Sequence, residues 1–498
     1  MEALDWLVIG VFFLALIGII VWVVRQKQND SADYFLGGRD ATWLAIGASI
    51  FASNIGSEHL IGLAGAGASS GMAMAHWEIQ GWMILILGWV FVPFYTRSMV
   101  YTMPEFLERR YNPQSRTILS VISLVSYVLT KVAVTVYAGG LVFQQVFGIK
   151  ELWGIDFFWI AAIGLVVLTA LYTIFGGMKS VLYTSVLQTP ILLLGSLIIL
   201  VLGFKELGGW DEMMRVCGAV TVNDYGDAMT NLIRSNDDAN FPWLGALIGS
   251  AIIGFWYWCT DQFIVQRVLS GKNEKEARRG TIFGAYLKLL PVFLFLIPGM
   301  IAFALHQKYI GAGGEGFLPM LANGTANADA AFPTLVAKLL PAGVKGLVVC
   351  GILAALMSSL ASLFNSSAML FTIDFYKRFR PETPEKKLVG IGQIATVVIV
   401  ILGILWIPIM RSVGDVLYTY LQDVQSVLAP GIAAAFLLGI CWKRTSAQGG
   451  MWGLIAGMVI GLTRLGAKVY YSNAGEVADS TFKYLFYDMN WLFFCGWM

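Results

Sequence analysis

Long apolar stretches alternate with short polar segments along the whole chain. The first of them, residues 7–24, is apolar on every face, whereas a surface helix of a soluble protein carries a single apolar stripe. A helix that crosses a bilayer needs about 20 largely apolar residues. The pattern predicts spans at 5–24, 43–67, 76–98, 118–147, 154–174, 180–203, 242–264, 281–305, 342–374, 388–410, 415–441 and 447–471. The last apolar stretch, 491–498, is too short to cross.

The composition agrees with burial in lipid. Of the 498 residues, 57% are hydrophobic and 13% are charged, and the mean hydropathy is +0.71. Soluble proteins carry about 25% charged residues. The net charge of +2 gives no reason to expect a nucleic-acid partner. We therefore predict an all-α membrane protein with the lipid bilayer as its surroundings, in which residues 1–498 form a single transmembrane domain.

Basic residues cluster in alternate loops, all on one side of the predicted spans. The clusters lie within 25–39, 109–116, 267–279, 377–387 and 443–444. Cytoplasmic loops carry an excess of Lys and Arg, so this side is expected to be cytoplasmic and the N-terminus outside. The long loop 204–241 on the other side has three Lys or Arg against seven Asp or Glu, in agreement with that orientation.

The order of the spans predicts an internal symmetry. When the extra N-terminal helix 5–24 is set aside, the next five spans start inside and the following five start outside. Two halves of opposite orientation are typical of transporters built from inverted repeats. We predict a first repeat at 43–203 and a second at 242–441. Residues 447–498 would add a further C-terminal helix and a short end.

Two spans are interrupted by polar residues and flanked by glycine, at 52–59 and at 255–262. They are the first spans of the two predicted repeats. Irregular backbone at membrane depth must line a cavity or be buried in protein. Unwound backbone frees carbonyl oxygens, which are the ligands that hard cations such as sodium prefer. Both breaks are therefore expected to face a binding cavity.

Several ionisable residues fall within spans. Glu78 and Lys288 are expected to be functional, because a charge in the bilayer costs about 2.5–3.5 kcal/mol on insertion scales and persists where it is needed. For Lys131, a side chain that extends to the membrane surface is an equally good explanation. An isolated residue such as His59 is more often a packing residue than a ligand.

Two further polar groups allow both a binding and a structural role. Ser358, Ser359 and Ser362 place hydroxyls at helical spacing, although serines in such helices often bond to their own backbone. Tyr418 and Gln422 combine an aromatic ring with an amide, a pair that suits a sugar face and its hydroxyls. Packing explains that pair nearly as well.

At these positions the chain resembles the sodium/glucose cotransporters of the sodium/solute symporter family. The similar segments extend from about residue 30 to about residue 450. They are 33–39 (DYFLGGR), 47–55 (GASIFASNI), 62–65 (GLAG), 102–106 (TMPEF), 256–262 (WYWCTDQ), 265–267 (VQR), 357–360 (MSSL) and 429–430 (AP). The resemblance implies a leucine-transporter-like five-plus-five inverted repeat with extra flanking helices.

The resemblance also implies roles for individual residues. Those that would bind the sugar are Asn54, His59, Glu78, Lys288 and Gln422, with Tyr257 and Trp258 beneath it. The outer gate would consist of Leu63, Trp77 and Tyr418, and Tyr257 would serve in the inner gate. The sodium ion would be held by the carbonyls of Ala52, Ile55 and Ala355 and the hydroxyls of Ser358 and Ser359.

The chain departs from the family pattern in several places. Ser185 stands where relatives usually have aspartate, and Ala361 replaces a hydroxyl found in members that couple two sodium ions, so one sodium per sugar is expected. Gly81 and Gly254 occupy positions that carry side chains in relatives. The loop 306–341 lacks the cysteines of the animal carriers, which favours a bacterial inner membrane.

The function expected from the resemblance is sodium-coupled symport of a monosaccharide of the glucose or galactose class. Alternating access would expose the site to each side of the plasma membrane in turn. Symport of another polyol such as an inositol is the alternative. A receptor would usually carry a signalling domain, which the chain lacks. An enzyme would need clustered catalytic groups, and the three histidines are scattered, so no catalytic residue is predicted.

Overall fold

The computed structural model describes residues 1–26, 28–56, 58–321, 324–412, 417–473 and 480–498. The side chains of 129–130, 138, 145, 409–412, 417–423 and 472–473 lie outside that description. Helices dominate these residues. The extended elements among them form a short antiparallel hairpin, Glu151–Leu152 paired with Ile155–Asp156. The prediction of an all-α architecture is confirmed.

Nine helices of the described residues are long and apolar enough to cross a membrane. They are Ala3–Val24, Gly71–Ser98, Phe157–Leu207, Trp243–Thr260, Glu274–Gly311, Val344–Phe379, Glu385–Pro408, Val424–Cys441 and Ala447–Tyr471. The shorter apolar helices Trp43–Asn54 and Ala133–Gln144 fall in two further predicted spans. The 51-residue helix Phe157–Leu207 covers the two predicted spans 154–174 and 180–203. Gly177, with φ 54° and ψ −150°, forms a kink between them. Every predicted span therefore has a helical counterpart.

Short helical segments extend or connect the spans. They are Ser31–Leu36, Gly37–Arg39, Met103–Arg110, Pro113–Ser126, Tyr127–Val132, Trp210–Gly218, Ala328–Ala330, Ala331–Leu339, Thr481–Lys483, Tyr484–Asp488 and Trp491–Trp497. Side-chain caps begin five of them. For example, Thr102 accepts from the Glu105 amide at 3.1 Å, and Asn112 accepts from the Ser115 amide at 2.8 Å. These caps satisfy amides that lack a partner in the first helical turn.

Burial separates a central helix from peripheral ones. Of the 18 most apolar consecutive residues of Val344–Phe379, 89% are buried inside the protein, whereas the corresponding share in Ala3–Val24 is 22%. Large apolar side chains such as Leu14 and Leu405 are exposed on the outside. An apolar exterior suits lipid, because the bilayer core contains no water to form hydrogen bonds with exposed polar groups. The polar chemistry of the molecule is therefore concentrated in its interior.

The first broken helix comprises Trp43–Asn54, the π-helical turn Glu58–Leu63 and the helix Ala64–Ser69. It stops at Ile55, whose backbone is extended with φ −80° and ψ 99°. The carbonyl groups of the last turn, including that of Ala52, therefore have no following helical turn to bond to.

The second broken helix comprises Trp243–Gly254, the π-helical turn Phe255–Thr260 and the helix Gln262–Leu269. Asp261 interrupts it with φ −74° and ψ 127°. Its carboxylate accepts from the Phe263 amide at 3.1 Å and so caps the helix that follows. Both breaks lie within the predicted segments 52–59 and 255–262, which confirms that prediction.

The short C-terminal helix Trp491–Trp497 packs against the first half of the second broken helix. Gly249 makes this contact possible, because a Cβ there would lie 2.5 Å from the Leu492 carbonyl oxygen. The Trp491 ring meets the Trp77 ring edge to face, with centroids 5.2 Å apart. The predicted outer-gate residue Trp77 is thus braced by the last helix of the chain.

Candidate functional site

A small cavity lies where the two broken helices meet. It has a volume of ≈ 30 Å³ and is lined by Asn54, Glu58, His59, Trp77, Glu78, Gln80, Ile253, Tyr257, Trp258, Lys288 and Gln425. A water molecule needs about 10–15 Å³, so a cavity of this volume has room for two or three waters at most and is smaller than a sugar. The structure brings together seven residues of the predicted site: Asn54, His59, Trp77, Glu78, Tyr257, Trp258 and Lys288.

Three ionisable side chains form a buried network on one wall. The Lys288 ammonium lies 2.6 Å from Glu78 Oε2 and 2.8 Å from His59 Nε2, and His59 Nε2 lies 3.2 Å from Glu78 Oε1. All three side chains are buried. His59 Nε2 thus faces both an ammonium group, which can only donate, and a carboxylate oxygen, which can only accept. The contacts of Nε2 are compatible with either tautomer, and Nδ1 lies outside the network.

Three buried polar atoms around the cavity have no hydrogen-bond partner among the described residues. They are Asn54 Oδ1, His59 Nδ1 and Gln80 Oε1. Buried polar atoms are nearly always paired, because leaving one unpaired costs about 1–3 kcal/mol. The two amide oxygens require a donor, and His59 Nδ1 requires a donor or an acceptor according to the tautomer of its ring. A hydroxyl group can act as both.

An aromatic pair closes one side of the cavity. The rings of Tyr257 and Trp258 meet edge to face with centroids 4.9 Å apart. The Asn54 Nδ2 group donates to the Tyr257 hydroxyl at 3.0 Å, which joins the two broken helices directly. Aromatic rings offer apolar surface with defined geometry. The cavity therefore combines hydroxyl-binding groups with a flat apolar surface.

The two glycines that depart from the family pattern leave room for neighbouring polar side chains. A Cβ at Gly81 would lie 2.6 Å from Lys288 Cγ, and a Cβ at Gly254 would lie 2.7 Å from Gln80 Oε1. The stem of Lys288 and the amide of Gln80 fill this space. Because the two glycines have no side chains, the Lys288 stem and the Gln80 amide can occupy these positions beside the cavity.

Sequence reasoning missed four lining residues: Glu58, Gln80, Ile253 and Gln425. Gln425 follows Gln422 by three residues and shares its helix face, a signal that could have identified it. Gln80 is turned inward by the tight 3₁₀ turn Gln80–Trp82, which follows from no simple pattern. Of the predicted gate residues, Leu63 is fully buried and does not line the cavity. The side chains of Tyr418 and Gln422 lie outside the described residues.

The predicted sodium ligands lie where the first broken helix meets the central helix Val344–Met369. Ala355, Ser358 and Ser359 are buried on that helix. A Cβ at Gly56 would lie 3.3 Å from Ser359 Oγ, so the break and this hydroxyl are adjacent. Ser358 Oγ lies 3.2 Å from Ser185 Oγ. The ligand set stays a prediction, and its oxygen atoms suit a hard cation.

A family model matches residues 34–457, and its description is the sodium:solute symporter family. The chain belongs to this family. The family consists of transporters, so the chain is a multi-pass membrane transporter and not an enzyme. This confirms the resemblance on which the predictions rest.

Three similar proteins illustrate the family. The sodium/myo-inositol cotransporter 2 of Homo sapiens is 38% identical over 93% of this chain and 70% of its own length. The sodium/glucose cotransporter 4 of Danio rerio is 36% identical over 99% of this chain and 76% of its own. The sodium/glucose cotransporter 2 of Rattus norvegicus is 38% identical over 98% and 75%.

Two solved structures are also similar to this chain in their fold. A substrate-bound, outward-open Na⁺-coupled sialic acid symporter superposes with a TM-score of 0.79 at 22% identity, covering 99% of this chain and 95% of that one. MhsT in complex with L-phenylalanine superposes with a TM-score of 0.55 at 13% identity, covering 85% and 98%. These likenesses concern the fold, and they confirm the leucine-transporter-like architecture.

Proposed function

We propose that this family member is a sodium-coupled symporter that carries a monosaccharide of the glucose or galactose class across the plasma membrane. The observation that carries the proposal is a set of buried atoms that have no hydrogen-bond partner among the described residues, Asn54 Oδ1, His59 Nδ1 and Gln80 Oε1, beside an aromatic surface. A molecule with several hydroxyls on a compact ring pairs all three atoms. The names of the sodium/glucose cotransporters at 36–38% identity support this substrate class.

The site residues divide into contacts and gates. In this proposal, the sugar hydroxyls bond to Asn54, His59, Glu78, Lys288 and Gln422, and the ring lies on Tyr257 and Trp258. Leu63, Trp77 and Tyr418 close the outer side, and Tyr257 closes the inner side. The small cavity must widen before a sugar can enter. The rocking of one group of helices against another would widen it and would also open the site to each side of the membrane in turn.

Sodium binding drives the cycle through the first broken helix. The carbonyls of Ala52, Ile55 and Ala355 and the hydroxyls of Ser358 and Ser359 hold the ion between the break and the central helix. Its binding orders the break, and with it Asn54. The membrane potential contributes about 2.3 kcal/mol per charge per 100 mV to inward movement. Sodium and sugar then raise each other's affinity by the same factor.

Further features of the proposal follow from charge and from the departures named above. The basic loops support an orientation with the N-terminus outside. In this proposal the inverted repeats are 43–203 and 242–441, and the flanking helices lie at 5–24 and 447–498. Ser185 and Ala361 lack the groups expected around a second sodium ion, so one sodium accompanies each sugar. The absence of cysteine from the loop 306–341 supports a bacterial inner membrane.

Reconstitution into liposomes tests the function. Labelled glucose and galactose should accumulate against their gradient when sodium is imposed outside, and not when potassium replaces it at the same membrane potential. The ratio of charge to sugar taken up should be one. Uptake that is unchanged without sodium would overturn the proposal.

Myo-inositol is a second candidate substrate. Several relatives of 38–40% identity are named sodium/myo-inositol cotransporters, and an inositol presents a full ring of hydroxyls to the same unpaired atoms. Competition decides between the two. If myo-inositol displaces labelled glucose at far lower concentration than glucose itself, the protein is an inositol carrier with the same sodium site.

A further inference from the structure

The ammonium group of Lys131 is buried in a cage of aromatic rings next to the cavity. Its Nζ lies 4.9 Å from the ring centroid of Tyr127, 5.4 Å from Trp256, 4.8 Å from Tyr257 and 5.0 Å from Phe263. The residue is 4% exposed, so the side chain does not extend to the membrane surface. An ammonium over several aromatic faces is held by their quadrupoles, most strongly when it is desolvated.

Asp261 completes the cage from the break of the second helix. Its Oδ2 lies 2.6 Å from Lys131 Nζ. Its Oδ1 accepts from the Tyr127 hydroxyl and, at 3.1 Å, from the Phe263 amide. Both charges of this buried pair therefore have partners, a condition for keeping a pair of ions in the interior.

The ion pair joins two groups of helices. Lys131 lies in the π-helical turn Tyr127–Val132, which packs on the central helix Val344–Met369 and on Glu385–Ser412. Asp261 belongs to the second broken helix, whose first part, Trp243–Thr260, packs on Gly71–Ser98 and Leu417–Cys441 and whose last part, Gln262–Leu269, also contacts the central helix. Any movement of the turn Tyr127–Val132 against the second break must stretch or break the pair.

We infer that Lys131 is a positioning residue of the inner gate, holding the Tyr257 ring against the cavity and fixing the second break through Asp261. The inference rests on the proposed gate role of Tyr257. Two contacts fix the Tyr257 side chain. Its hydroxyl accepts from Asn54, which belongs to the substrate site, and the face of its ring lies on the Lys131 ammonium. Both contacts are present in this structure, but only the first involves a proposed sugar-binding residue, so sugar binding leaves the second in place. Lys131 therefore keeps the inner side closed until the helix groups move.

Replacing the ammonium by an apolar chain of similar length should favour inward opening. In Lys131→Met, the ring loses its cation and Asp261 loses its counter-ion, so the inward-facing population should rise by about 10-fold, within the range of coupling between sites. The apparent KM for outside sugar should rise, and that for inside sugar should fall. In Lys131→Arg the changes should be smaller, because a guanidinium also pairs with carboxylate and stacks on rings.

Sided transport assays and thiol labelling form the test. Labelling uses Cys259, a buried cysteine two residues from Tyr257, in a variant whose other cysteines (Cys217, Cys350, Cys441 and Cys495) are replaced by alanine. Maleimide applied from the cytoplasmic side should label Cys259 faster in Lys131→Met than in the parent. Lys308→Met, the same change outside the cage, is the matched control.

The outcomes separate the gate from the substrate. Labelling needs no sugar, so faster labelling supports the gate role even if no glucose uptake is found and the proposed function fails. Equal labelling in the parent and in Lys131→Met would overturn the inference. KM values that shift in the same direction on both sides would also overturn it, since a merely structural lesion acts equally on both. The double variant Lys131→Met/Asp261→Asn, which leaves no lone charge, should retain fast labelling with better folding.

Discussion

Neutralising Glu78 probes the charge network of the cavity wall. In Glu78→Gln, the Lys288 ammonium loses a carboxylate 2.6 Å away, in a place where both side chains are buried. Removing one partner of a buried ion pair costs about 3–5 kcal/mol, because the remaining charge has no counter-ion. We expect Glu78→Gln and Lys288→Met each to lower the free energy of unfolding by this amount and to abolish sugar uptake.

The double variant Glu78→Gln/Lys288→Met makes the reasoning quantitative. It leaves no lone charge, so its loss of stability should be smaller than the sum of the two single losses, with a coupling energy of about 0.5–3 kcal/mol. Thermal unfolding of the purified protein in detergent measures all three variants. Glu212→Gln, which breaks the exposed pair with Arg215, is the control and should leave thermal stability unchanged. Additive losses in the double variant would refute the network.

Four further outcomes are expected. Gly254→Ala should weaken sugar affinity in uptake assays, since its Cβ would lie 2.7 Å from Gln80 Oε1 and displace that amide. Gln425→Ala should raise the KM for sugar about 10-fold, the effect of about 1.4 kcal/mol. Ser185→Asp should raise the Hill coefficient for sodium from one towards two in sodium titrations of uptake. Burial raises the pKa of Asp329 from 3.8 to about 6, so its stabilising contribution is complete below pH 3.8 and lost as the pH rises through 6; Asp329→Asn should remove this pH dependence of thermal unfolding.

The spans and breaks could be predicted because their signals are local. Twenty apolar residues in a row fix a span wherever its neighbours lie, and extended residues such as Ile55 and Asp261 fall where polar residues interrupt that run. The core of the site, Glu78 with Lys288, could be predicted because a charged residue within a membrane span is costly and is rare unless it has a function.

Other parts of the site depend on distant partners and could not be predicted. From the sequence, Lys131 is equally compatible with a surface role, and its place is decided by the aromatic cage together with Asp261, 130 residues further on. Gln80 faces the cavity because the helix tightens locally, which moves it off the face that regular periodicity assigns to it. The positions of the side chains, unlike those of the spans, follow from packing between helices.

The small volume of the cavity has a consequence for any measured affinity. A cavity of ≈ 30 Å³ admits no sugar, so binding requires a more open form of the protein. The measured dissociation constant then equals the intrinsic constant divided by the fraction of molecules in the open form. A substitution far from every sugar contact can therefore tighten binding by enlarging that fraction. A tightly binding variant of this kind would release its cargo slowly and transport less per second than the weaker binder.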